Sequence, residues 1–117
     1  MATNYNTTID QGADWYINFT YYSDSTQTTP VNLTGFTAAL QLRSEPSDAV
    51  SVLSLSSPSN GIVITGVSGL IAVHATAAQT GVIQEGYYYY DLEITSSTGI
   101  VTRLIQGQIL VSAQITR

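Results

Sequence analysis

Large apolar side chains recur at every second position through most of this chain, and that period restricts it to strands with one buried face. Trp15, Ile17, Phe19 and Tyr21 alternate with Asp14, Tyr16, Asn18 and Thr20, which predicts a first strand with an aromatic face. Phe36, Ala38, Leu40 and Leu42 alternate with Thr37, Ala39, Gln41 and Arg43 in a second strand. Pro30 and Gly35 punctuate the connection between them as a turn. Glu45-Pro46-Ser47-Asp48 ends the second strand, and Val50 to Leu55 reads as a short third one. Asn60-Gly61 suits a tight turn, because both residue types tolerate positive φ.

Ile62-Val63-Ile64 and Leu70-Ile71-Ala72-Val73 read as a hairpin around Gly66 to Gly69. The alternation fails between Thr76 and Ile83, where an N-cap residue precedes good helix formers, so one short helical turn is expected near 76–83. Gly86 to Thr95, a Ser96 to Gly99 turn and Ile100 to about Ile115 form a long terminal hairpin. Seven or eight strands with one helical insertion predict an all-β fold, a single antiparallel sandwich or flattened barrel. At 117 residues there is room for one domain. Its expected limits are 10–117, preceded over 1–9 by a mostly polar N-terminal arm, which could be ordered by adding to a neighbour's sheet edge.

Composition narrows the function. Only 9% of the chain is charged and lysine is absent, against about 25% charge in an ordinary soluble domain. Sixteen Thr and thirteen Ser supply neutral polarity in its place. Hydroxyls are far cheaper to bury than ions when they find hydrogen bonds, so such a surface suits packing against other protein. Edges without lysine lack a common device against strand pairing.

The net charge of −5 with only three arginines argues against nucleic acid, whose contacts neutralise roughly 6 to 10 phosphates. No run is long and apolar enough for a membrane helix. Met1 to Asn6 lacks the basic and apolar stretches of a secretory signal, so export by that route is not expected. Three Asn-X-Thr sequons, at Asn6, Asn18 and Asn32, read as by-products of a threonine-rich sequence.

Candidate chemistry is sparse. A hydrolase would have to use the single histidine, His74, but Ser68 in Gly66-Val67-Ser68-Gly69 does not match a nucleophile elbow. One histidine and no cysteine fall short of a zinc site, and no loop has the acidic spacing of a calcium site. Asp91 and Glu93 share a strand face, as a glycosidase pair would need. A register placing Leu92 opposite Leu104 sets Glu93 opposite Arg103, however, and Glu93 with Arg103 then reads as a structural ion pair. No enzyme activity, cofactor or metal is expected. In Tyr87-Tyr88-Tyr89-Tyr90, Tyr88 and Tyr90 share the Leu92 face and belong in the core, while Tyr87 and Tyr89 face outward. The candidate protein-interface residues are Asn4, Tyr5, Asn6, Tyr87 and Tyr89.

Five stretches, Asp10 to Trp15, Pro30 to Ala38, Ala77 to Thr80, Tyr90 to Glu93 and Val101 to Gly107, resemble small structural proteins of tailed-bacteriophage virions. Those proteins carry an immunoglobulin-like sandwich similar to the N-terminal domain of phage baseplate upper proteins. The resemblance implies a virion structural protein made in the host cytoplasm, a tail or baseplate adaptor or a capsid cement or decoration protein. It implies other virion proteins as partners and several copies in a symmetric assembly, and brings no catalytic residues. The sequence departs from those upper proteins in stopping at Arg117, so no receptor-binding extension of its own is expected. The alternative is a carbohydrate-binding module that stacks sugars on Trp15 or the outward tyrosines.

Overall fold

A computed structural model of the protein describes residues 3–22, 29–48 and 50–115. Among these residues, nine strands and one short α-helix follow in the order β1 (Thr3–Asn4), β2 (Thr7–Asp10), β3 (Trp15–Thr20), β4 (Thr37–Arg43), β5 (Leu53–Ser56), β6 (Ile62–Thr65), β7 (Leu70–Ala75), α1 (Ala77–Gly81), β8 (Gly86–Thr95) and β9 (Val101–Ser112). They form two sheets. The larger runs β1-β9-β8-β4-β5, with β2 also on β9, and the smaller runs β3-β7-β6.

The apolar alternation decides which faces meet. Leu40 and Leu42 of β4, Tyr88, Tyr90, Leu92 and Ile94 of β8, and Ile109 and Val111 of β9 point inward from the larger sheet. Trp15 of β3, Ile62 of β6 and Ile71 and Val73 of β7 meet them from the smaller one. All of these are buried in one cluster, where each large aliphatic side chain contributes about 1.5–3 kcal/mol by leaving water. The expected inward pair Tyr88 and Tyr90 is buried, and both hydroxyls are satisfied. Tyr88 donates to the Gln84 carbonyl and Tyr90 to the Tyr5 carbonyl, each at 2.6 Å.

The helical turn forms where the alternation stops. Thr76 is its N-cap in a reciprocal capping box: the Gln79 backbone N–H donates to Thr76 Oγ1, and the Thr76 N–H donates to Gln79 Oε1. Thr80 is the one fully buried polar residue among those described. Its hydroxyl donates to the Ala13 carbonyl at 2.8 Å and accepts from the Gly12 N–H at 3.1 Å, which pins α1 to the turn between the sheets.

Three expectations change. Nine strands occur among the described residues rather than seven or eight, and parallel pairing to β9 makes the larger sheet mixed rather than antiparallel. The third strand begins at Leu53 rather than Val50, and Val50 is exposed. Within the expected arm 1–9, Met1 and Ala2 lie outside the described residues, and from Thr3 onward the segment belongs to the chain's own larger sheet. Thr3 and Asn4 pair in parallel with Ile105 and Gln106, and Thr7 to Asp10 pair with Ile109 to Ser112. The alternation in this segment is too short to read, yet Ile9 is fully buried and Tyr5 packs edge-on against Phe19 of the smaller sheet at 5.9 Å. A long β9 edge with unpaired backbone groups sits beside the segment and offers it those hydrogen bonds within the same chain.

Candidate functional site

Pairing between strands sets out three polar rows on the outer face of the larger sheet. The middle row crosses five strands: Ser54, Gln41, Asp91, Gln106 and Asn4 are successive cross-strand partners. On one side lie Arg43, Tyr89 and Gln108, and on the other Ala39, Glu93 and Arg103. All of these except Ser54 and Ala39 floor an open groove of about 590 Å³, bordered by Asn6 and by Pro46 of the β4–β5 connection. Tyr87 stands at a smaller neighbouring hollow, which shares Asn6 and Gln108 with the groove.

A bulge in β9 makes this arrangement possible. Leu92 pairs with Ile105 and Glu93 with Arg103, so Leu104 is the extra residue. Gln106 and Arg103 are three positions apart and would point to opposite faces of a regular strand; the inserted Leu104 brings both outward. The expected register therefore holds at the hairpin tip, and Leu92 faces Ile105 instead of Leu104. Glu93 lies opposite Arg103 as expected, but the ion pair forms elsewhere. Arg103 Nε approaches Asp91 Oδ2 at 3.3 Å, and its Nη1 donates to Gln106 Oε1 at 3.2 Å.

The remaining polar groups hold one another. Arg43 donates to Gln41 Oε1 at 2.7 Å and to the Asp48 carbonyl at 2.9 Å. Gln106 Nε2 donates to Asn4 Oδ1 at 3.3 Å, and the Gln108 backbone N–H donates to Asn6 Oδ1 at 2.9 Å. Asn4 and Asn6, expected at a protein interface, thus border the groove. Tyr5 is half exposed and touches both sheets through Phe19 and Tyr90. Tyr89 is 38% exposed and Tyr87 71%, both outward as expected. Gln41, Arg43, Gln106 and Gln108 also line the groove, although nothing in the sequence pattern marks them as site residues. Alternation marked Gln41 and Arg43 as outward, while the bulge hid the register of the two glutamines.

The smaller sheet differs sharply. WYINFT, IVIT and LIAVHA contain no Asp, Glu, Lys or Arg. Its outward side chains include Tyr16, Asn18, Thr20, Val63 and Thr65, all exposed. At one end His74 stacks on Tyr16, with ring centroids 4.2 Å apart and planes 5° from parallel. His74 Nε2 lies 3.7 Å from Asp14 Oδ1, beyond hydrogen-bond reach, and that oxygen accepts from the Ala77 N–H at 2.7 Å. Among the described residues, no hydroxyl is hydrogen-bonded to His74 Nε2. Ser68, at the far end of β7, donates to the Thr65 carbonyl. A serine-histidine pair is therefore not assembled among the described residues.

Trp15 is 7% exposed, within the core. No group of three or more His, Cys, Asp or Glu side chains that could hold a metal ion occurs among the described residues. No helix among them is long and apolar enough to cross a membrane. No protein-family description matches the chain, and no curated protein matches it.

Proposed function

We propose that this chain is a structural protein of a bacteriophage virion, an immunoglobulin-like sandwich that acts by protein contact as a tail or baseplate adaptor or a capsid cement protein. The observation that carries the reading is the separation of charge between the two sheets. Strands of the larger sheet hold Asp10, Arg43, Asp91, Glu93 and Arg103, while those of the smaller sheet hold no Asp, Glu, Lys or Arg. Away from Asp14 at the Tyr16 end, a neighbour can cover Asn18, Thr20, Val63 and Thr65 without stripping water from an ion, which removes a large cost of making an interface. The resemblance of five sequence stretches to phage virion proteins supports the same reading. Among the expected interface residues, Tyr87 is the most exposed and is proposed as a further contact on the opposite sheet.

Val63→Asp and Asn18→Asp place a charge on the neutral face at outward positions, where folding tolerates it. Purified phage particles made with either variant should lose the protein, while the isolated variants keep the wild-type melting temperature. Incorporation at wild-type copy number would overturn the reading.

A second reading, a carbohydrate-binding module, is favoured by the groove on the larger sheet. Trp15 has no part in it, because the indole is buried.

A further inference from the structure

We infer that the groove on the outer face of the larger sheet is a binding site for a short neutral saccharide, lying across the strands. This inference rests on the second reading above and is independent of the virion role.

Charge excludes the other small-ligand classes. The chain carries −5 overall, but the groove holds two guanidinium groups, Arg43 and Arg103, against two carboxylates, Asp91 and Glu93. A polyanion finds no net positive field there, and a polycation finds its attraction to the acids cancelled by the adjoining guanidiniums. The floor is built of amide, carboxylate, guanidinium and hydroxyl groups, and each donor or acceptor that their mutual bonds leave to water would be stranded under an apolar ligand at about 1–3 kcal/mol. A hydroxyl-rich neutral molecule satisfies all of them, because each hydroxyl both donates and accepts.

Geometry favours the same class. Gln41, Asp91, Gln106 and Asn4 stand on adjacent strands, so they repeat at about the 4.8 Å strand spacing. That repeat is close to the length of one pyranose ring, and a chain crossing the strands would meet a fresh planar polar group at each sugar. Arg43 with Gln41, Arg103 with Asp91, and Gln106 with Asn4 are already joined to one another. Ligand binding therefore orders few side chains, which lowers its entropic cost. Tyr89 stands in the adjoining row between Arg43 and Gln108 and offers a partly exposed ring for a sugar face. A peptide fits less well. It gains its main-chain hydrogen bonds along a sheet edge, and this groove lies on a face whose backbone groups are already paired.

The test uses the full chain, ¹⁵N-labelled, titrated with neutral gluco-, galacto-, manno- and N-acetylglucosamine oligomers and with an anionic heparin fragment as control. At least one neutral oligomer should shift the side-chain amides of Gln41 and Gln106. Its affinity should fall tenfold or more in Gln106→Ala and in Tyr89→Ala, and stay unchanged in Tyr16→Ala on the opposite sheet. Both groove side chains point to solvent, and unaltered amide spectra in the rest of the chain confirm that the variants fold. The inference is overturned if no neutral oligomer binds at concentrations on the order of 10 mM. Binding of the heparin fragment alone, or binding that Gln106→Ala and Tyr89→Ala leave intact, overturns it equally. None of these outcomes bears on incorporation into particles, which tests the contact face.

Discussion

The Tyr90 hydroxyl donates to the carbonyl oxygen of Tyr5 across 2.6 Å, joining the middle of β8 to the point where the N-terminal segment passes from β1 to β2. The tyrosine quartet thus has an internal purpose at Tyr90, and the segment from Thr3 to Asp10 is held by a side chain from the core.

Tyr90→Phe leaves the Tyr5 carbonyl without its donor and should cost about 1–3 kcal/mol in urea unfolding. It should also change the alkaline limb. Burial, reinforced by the nearby Tyr5, raises the Tyr90 hydroxyl above the ordinary tyrosine value of 10.0. The folded chain keeps a proton that the unfolded chain releases, so this contribution is whole below pH 10 and fades as pH rises above it. Wild type should lose stability more steeply than Tyr90→Phe in that range. Equal slopes would show that Tyr90 is not responsible.

Gly107 pairs with Tyr90, and a Cβ there would overlap the Tyr5 carbonyl. Gly107→Ala should destabilise the fold by roughly 1–3 kcal/mol, the usual scale of overpacking. Hydrogen exchange should reveal which part gives way: Thr3 to Asp10 should lose protection first, ahead of β4 and β8.

Thr80→Val keeps the buried volume but removes the hydroxyl that Ala13 and Gly12 share. Leaving that carbonyl and N–H unpaired should cost about 2–4 kcal/mol by thermal unfolding, well above an exposed Thr→Val change such as Thr65→Val. A cost under about 0.5 kcal/mol would mean that water replaces the hydroxyl at both groups.

Arg103 and Asp91 are both substantially exposed, so their ion pair should contribute less than about 1 kcal/mol. A double-mutant cycle between Arg103→Ala and Asp91→Ala should give a measurable coupling, larger than the same cycle with Glu93→Ala. The reverse order would restore the pair expected from the register alone.

Period two sufficed to locate the strands between Trp15 and Thr95 apart from the start of β5, because a buried face imposes the alternation there, and it located β9 without its bulge or its end at Ser112. It also placed Tyr88 and Tyr90 inward and Tyr87 and Tyr89 outward. The β9 bulge was not legible: Leu104 interrupts the pairing without any glycine to mark it, and a single inserted residue changes which of Arg103, Gln106 and Gln108 share a face. The place of Thr3 to Asp10 was hidden for another reason. Its hydrogen bonds are made in parallel to a strand about a hundred residues away, and backbone pairing leaves little trace in side-chain pattern. The groove needed both, since Asn4 and Gln106 meet only after the bulge and the parallel strand are in place.

The neutral face of the smaller sheet is tested most directly by a photo-cross-linking residue placed at Val63, with a second chain carrying it at Tyr89, each incorporated into intact phage particles. The proposed role predicts that position 63 joins the protein to another virion protein in every purified particle, whether or not position 89, beside the further contact at Tyr87, does so too. Cross-linking from position 89 alone, or from neither position, would contradict it.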